Sequence, residues 1–235
     1  MITRLGNIWS RLRILCRGEA DEIAIWFEES SIRWPLLCCG IITLGCGCYG
    51  ATIGLWRSPL QALYSGVKFP LLMFLTLLTN SLLNGMMAQL LGLGLTFRQT
   101  SLAILMSFTV VAMFLAAFAP ISLFILYNTP PLTAPSAVSA HLFIKLNHVV
   151  AISYAGITAN IRLYRLLTML SGNHKRSRKT LFTWMTGNLF LGSQLAWIFR
   201  PFVGSPFLDV QFLRDDAFNG NFYENVLEAM KQLLS

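Results

Sequence analysis

Apolar positions in this chain gather into five long runs rather than short amphipathic stretches. The runs are Trp34 to Trp56, about Phe69 to Leu95, about Ser101 to Tyr127, about Ala140 to Ile161 and about Thr180 to Phe199. A helix needs about 20 mostly apolar residues to cross a bilayer, so each run is long enough to be a span. No Asp or Glu falls inside any of them. The second run is longer than a bilayer requires, which predicts a tilt or a bend near Asn84-Gly85. Ala119-Pro120 predicts a kink in the third. The fold class expected is an all-α membrane protein: a five-span helical bundle with an N-terminal amphipathic helix and a C-terminal extracytoplasmic helix.

The segments outside the runs carry a different periodicity. Ile2, Leu5, Trp9, Leu12 and Cys16 recur at helical spacing, with Arg4, Arg11, Arg13 and Arg17 elsewhere around the cylinder. That pattern predicts an amphipathic helix on a membrane surface, ended by Gly18. Glu19 to Glu29 predicts a second, acidic helix with Ile23, Trp26 and Phe27 on one side. Between the first two runs, Arg57 to Lys68 predicts an outer loop with a short interfacial helix started by Ser58 and Pro59. Near the C-terminus, Asn219-Gly220 marks a turn and Asn221 with Glu224 forms a capping pattern. Phe222, Val226, Leu227, Met230 and Leu233 then make an apolar stripe. The organisation expected is therefore cytoplasmic helices over 1–33, a transmembrane bundle over 34–203, and an extracytoplasmic tail over 204–235 with a helix at 221–234.

Composition sharpens the class. The chain has 235 residues, 55% hydrophobic and 12% charged, against about 25% charged in soluble domains. The mean hydropathy of +0.60 agrees. The net charge of +8 would suggest nucleic acid in a soluble protein, but here the basic residues flank apolar runs. No nucleic acid is expected, and anionic lipid and topology explain the charge. With the N-terminus inside, the inner segments hold Arg4, Arg11, Arg13, Arg17, Arg33, Arg98, Arg162, Arg165, Lys175, Arg176, Arg178 and Lys179. The outer ones hold Arg57, Lys68, Arg214 and Lys231. This asymmetry predicts a cytoplasmic N-terminus and an extracytoplasmic C-terminus.

Candidate chemistry is sparse. No phosphate loop, nucleophile elbow or carboxylate pair is present, so no catalytic residues and no cofactor are expected. Cys16, Cys38, Cys39, Cys46 and Cys48 contain no Cys-x-x-Cys pair and no nearby His, so no metal site is expected and they read as packing residues. His141, Lys145 and His148 share one face of the fourth run and form a candidate polar pocket for an anion or a lipid headgroup. The competing role is snorkelling by Lys145 and a hydrogen bond from His148 to a neighbouring helix. Asn80, Asn84, Gln89, Asn147, Asn160, Asn188 and Gln194 read as interhelical glue. Gly50 and Gly54 form a GxxxG pair for close helix packing, within the bundle or between protomers. Ala112 and Ala116 suggest another close contact. Arg200, at the exit of the fifth run before Pro201, can reach headgroups or Asp209, Asp215 and Asp216. Arg200, Asp215 and Asp216 are a candidate structural latch.

Two stretches carry a resemblance. SPLQALYSGVKFPLLMFLTLL (Ser58–Leu78) and SQLAWIFRPFVGSPFLDVQFLRDDAFNGNFYENV (Ser193–Val226) resemble a family of bacterial multi-pass membrane proteins with Yip-type (Rab/Ypt-interacting-like) automatic labels. Matching residues are Pro59, Gln61, Lys68, Pro70, Leu71 and Thr76, then Gln194, Trp197, Arg200, Pro201, Phe202, Gly204, Pro206, Val210, Gln211, Phe212, Asp216 and Asn221. The resemblance implies a bacterial inner membrane, and the more distant likeness to the eukaryotic Yip-type proteins rests on five spans, an inner N-terminus and an outer C-terminus. It brings no activity with it. An actin-related label also attached to the group has no counterpart motif in the N-terminal helix.

The function expected is a non-enzymatic membrane subunit or scaffold, partnered by membrane lipids and by a second copy of itself or another membrane protein. The alternatives are a transporter or channel for an anion or lipid, and a membrane enzyme acting on lipid.

Overall fold

The structure is a computed structural model that describes residues 2–28, 31–204 and 208–234; the side chains of residues 2–7, 228–230 and 232–234 lie outside that description. Among the described residues there is no strand. The helices are α1 (Ile2–Arg17), α2 (Ala20–Ile25), α3 (Arg33–Leu55), α4 (Pro59–Leu90), α5 (Phe97–Tyr127), α6 (Ala137–Ser171), α7 (His174–Ile198) and α8 (Phe222–Leu234). Short connections make α3 to α7 run alternately up and down. One pole, the C-terminal pole, holds the α3–α4 and α5–α6 turns and the end of α7. There the Trp56 indole N–H donates to the Pro130 carbonyl at 3.1 Å. The N-terminal pole holds α1, α2 and the other two turns, where the Arg176 guanidinium donates to the Gly92 carbonyl at 3.1 Å.

The helix starts follow local chemistry. The Ser58 hydroxyl accepts from the Gln61 N–H at 3.0 Å, with Pro59 at the first helical position. Thr96 and Gln99 form a reciprocal capping box at α5. The Asn173 side chain accepts from the Arg176 N–H at 3.0 Å to start α7. In α8 the Glu224 N–H donates to Asn221 at 2.9 Å, and the Asn221 N–H donates back to Glu224 at 3.2 Å.

Four helices, α3 to α6, are long and apolar enough to cross a membrane. Helix α7, which carries the fifth run, falls short of that apolarity among the described residues. Several boundaries differ from the sequence expectation. Arg57 to Lys68 is not an outer loop with its own helix. Ser58 starts α4 itself, and the helix runs unbroken to Leu90 through Pro70, Asn84 and Gly85. Lys68 is accordingly no loop cation but is fully buried. Pro120 lies inside α5, which continues to Tyr127. Helix α6 extends ten residues beyond Ile161, to Ser171. Helix α2 spans only Ala20–Ile25 of the expected Glu19–Glu29, and Glu29 lies outside the described residues. So do the turn at Ser205-Pro206 and the side chains of Ile2, Leu5, Met230 and Leu233.

The core centres on α3. A Cβ placed on Gly50 would meet the Ser65 carbonyl at 2.6 Å and the Phe69 Cβ at 2.8 Å, and one on Gly54 would strike the Gln61 carbonyl. Both contacts are with α4 of the same chain, so the GxxxG pair seats α3 on α4 without a side-chain layer between them. On the other side, a Cβ at Gly45 would meet the Ala112 carbonyl of α5 at 2.7 Å. At the N-terminal pole α1 and α2 fold back onto the bundle. Leu15, Ile23, Trp26 and Phe27 are buried. Trp26 and Trp34 pack edge to face at 5.0 Å, with the Arg11 guanidinium 5.2 Å from the Trp26 ring. Gly18, at φ +72, makes the reversal between α1 and α2 against the Arg162 side chain. Burial raises the Cys16 thiol pKa, partly opposed by the nearby Arg162 charge, which disfavours the reactive thiolate.

Candidate functional site

The side of the bundle away from the α3 seam is open. A cavity of about 540 Å3 lies among α4, α5, α6 and α7, closed toward the C-terminal pole by Phe69, Phe202 and Val203. Its walls are mostly apolar, including Leu72, Met73, Ile104, Phe108 and Val149. Four asparagines interrupt them: Asn80 and Asn84 on α4, Asn160 on α6 and Asn188 on α7. Asn80 donates to Asn188 at 2.5 Å across α4 and α7, while the Asn80 carbonyl oxygen has no partner. Asn84, one turn further along α4, is 5% exposed and makes no hydrogen bond among the described residues. The Trp184 indole N–H also lines the space, is buried and has no partner. A buried polar atom without a partner costs about 1–3 kcal/mol, so such atoms around a void mark a place where something polar is received.

Two glycines line the same cavity. A Cβ at Gly156 on α6 or at Gly192 on α7 would meet nothing within 4 Å. Helix α7 buries only Ser177, Thr180 and Trp184. It therefore covers the cavity rather than filling it.

Of the three residues expected to form a polar pocket, the structure brings two together. Lys145 and His148 line the cavity; His141 does not. His141 lies further toward the C-terminal pole, its ring 5.6 Å from that of Trp56. His148 is buried, with Nδ1 2.9 Å from the Tyr49 hydroxyl of α3. The interhelical bond foreseen for His148 is thus present, and the ring still faces the cavity. The asparagines expected to act only as glue divide. Asn147 donates to Ser122 at 3.3 Å across α6 and α5, Asn160 caps its own helix carbonyl at Gly156, and Asn84 is left to the cavity.

Arg200 takes a single acid among the described residues. Its guanidinium meets the Asp216 carboxylate at 3.2 Å, the Asp216 carbonyl at 3.1 Å and the Trp197 carbonyl at 2.7 Å, and lies 3.7 Å from the Trp197 ring. Asp215 is exposed and forms no hydrogen bond or ion pair with it among the described residues, so the tie is between Arg200 and Asp216. The cause is local: the turn over 214–217, with the Ala217 N–H donating to the Arg214 carbonyl, points Asp216 back toward the helix end.

A stronger tie was missed. Gln61, Ser65 and Lys68 are fully buried on one face of α4. Gln61 donates to the Pro201 and Phe202 carbonyls at 3.0 and 2.9 Å, Ser65 donates to Phe202 at 2.5 Å, and Lys68 donates to Pro201 at 2.9 Å. The Lys68 ammonium also lies 5.1 Å from the Phe212 ring and 5.9 Å from the Phe202 ring. These donors hold the strap that follows α7 over the end of the cavity; the Arg200–Pro201 peptide in it is cis. The signal lay in the spacing: Gln61, Ser65 and Lys68 recur at four and three, on a face beside that of the apolar Leu60, Leu63 and Tyr64.

No protein-family model, curated protein or solved structure matches the chain.

Proposed function

We propose that the chain is a non-enzymatic integral membrane protein that holds a lipid-like amphiphile between α4 and α7. The observation that carries this is the cavity, apolar over most of its wall and provided with buried unpartnered groups at the Asn80 carbonyl oxygen and the Trp184 indole N–H, with Asn84 beside them. Ligand sites are concave, largely apolar and furnished with a few placed polar groups, in the range of about 300–1,000 Å3. A lipid bilayer supplies such a ligand at high local concentration. The placement of twelve basic residues in the segments toward the N-terminal pole supports a cytoplasmic N-terminus, with α7 as a fifth, less apolar crossing shielded on one side by the bundle. The Yip-type bacterial resemblance fits the same placement in an inner membrane.

The test is extraction of the purified protein from mild non-ionic detergent, followed by mass spectrometry of the organic phase. About one amphiphile per chain is expected from the wild type, and much less from Gly192→Leu, whose side chain fills open space. Equal lipid in both, or none in either, overturns the proposal.

The scaffold role has its own support in α8. Among the described residues its ties lie in the first turn, with Tyr223 stacked on Phe190 at 5.0 Å and the Phe222 N–H donating to Gln194 at 3.1 Å. Val226 and Leu227 beyond it are exposed. Cross-linking from a photoreactive residue at Leu227 in cells would yield a discrete protein adduct if α8 docks on a partner, and lipid adducts alone if it does not.

A further inference from the structure

The cavity has an electrostatic sign. Helices α4, α5, α6 and α7 contain no Asp or Glu at all. Lys145 lines the cavity, and among the described residues no carboxylate pairs with it. One turn along, His148 presents its ring to the same space while Nδ1 is engaged by Tyr49. Where the Tyr49 hydroxyl donates to Nδ1, the proton sits on Nε2 and the ring is a donor, not an acceptor. The other polar groups on the wall, among them Asn80, Asn84, Asn160 and Asn188, are neutral, with Asn84 and Asn160 toward the other end. A cation within a membrane-embedded helix is costly and is normally matched by an anion or used to hold one. Lys145 is exposed along the cavity wall, and the surrounding helices provide it no carboxylate, so an anionic ligand can meet it there.

Dimensions narrow the ligand further. Phe69 and Asn84 mark the ends of the cavity on α4 and lie about 22 Å apart at 1.5 Å per residue. On α6 the lining runs from Lys145 to Leu163, about 27 Å at 1.5 Å per residue. That is a slot for one extended chain, with its charged end at Lys145 and its neutral end among the amides.

Resting on the amphiphile reading above, we infer that the bound molecule is a single-chain anion, a long-chain carboxylate or phosphate monoester, seated with its head on Lys145 beside His148. The head lies on the C-terminal-pole side of the cavity, beneath the strap at Phe202.

The experiment compares matched probes on the purified protein in non-ionic detergent at pH 8, by equilibrium binding of radiolabelled palmitate, hexadecyl phosphate and hexadecanol. The wild type should bind one or both anions at least about tenfold more tightly than the alcohol, the scale of one modest charge-assisted contact. Lys145→Gln should erase that preference while leaving hexadecanol binding unchanged, and Lys145→Arg should retain it. Palmitate and hexadecyl phosphate separate the carboxylate source from the phosphate source. If hexadecanol binds as tightly as both anions, or the preference survives in Lys145→Gln, the anionic assignment is wrong while the cavity reading stands. If none of the three binds and none is displaced from the native protein, both are wrong. Circular dichroism of each variant separates a binding loss from misfolding.

Discussion

Glycines mark both sides of this bundle and mean opposite things there. On the α3 side, Gly45, Gly50 and Gly54 lie where a Cβ would strike a neighbouring backbone. On the α6–α7 side, Gly156 and Gly192 face space in which a Cβ would meet nothing. The first set lets two backbones touch. The second leaves room that the protein does not fill. One side of the molecule is therefore a close backbone seam and the other a wall around a void, and Gly156 and Gly192 differ from the equally unpacked Gly40 and Gly187 in lying on that wall.

Substitutions can break that comparison. The largest effect belongs to the seam: Gly54→Leu should cost about 3 kcal/mol or more, because the Gln61 backbone cannot yield. It would be read as loss of monodisperse protein in detergent or a sharply lowered thermal midpoint. Next is the strap. Lys68→Met should destabilise by about 1–3 kcal/mol, since it removes the charged one of the two donors to the Pro201 carbonyl and leaves only Gln61 there. Protease cleavage between α7 and α8 should accelerate in parallel. On the cavity side the sign reverses. Gly192→Ala should stabilise by about 0.5–1 kcal/mol, the helix-propensity gain with no steric cost, measured as a raised midpoint in lipid-free detergent. A fall instead would mean that the space is not there. Smallest is Arg200→Leu, at about 1 kcal/mol or less, because its acid partner Asp216 is largely exposed and such pairs contribute little. A loss as large as that of Lys68→Met would move the main tie from α4 to Arg200.

Much of this was legible beforehand, for identifiable reasons. The long apolar runs located the helices because lipid-facing and buried positions are both apolar, which makes the run itself the signal. Asn221 and Glu224 were readable because a capping pattern is local. The α4 start was misjudged because Ser58 and Pro59 do mark a helix, but nothing in the sequence separates a short helix from the first turns of a long one. Lys68 was counted as a loop cation because its partner is a backbone carbonyl, and carbonyls leave no trace in composition. The cavity was not legible: Asn84 looks like Asn147 in sequence, and only the packing shows that one has a partner helix and the other does not. Spacing puts His141, Lys145 and His148 on one face; Lys145 and His148 line the space, whereas His141 lies beyond its end.

The strap also has a bearing on biogenesis. Lys68 and the carbonyl that receives it are separated by 133 positions in the chain. Synthesis proceeds from the N-terminus, so α4 must reach the bilayer with its ammonium and two further donors still unanswered, and they stay so until the segment after α7 is made. A half-made chain therefore carries a built-in mark of incompleteness in its second long helix. Quality control that senses exposed polar groups within the membrane would see that mark disappear only when the strap arrives.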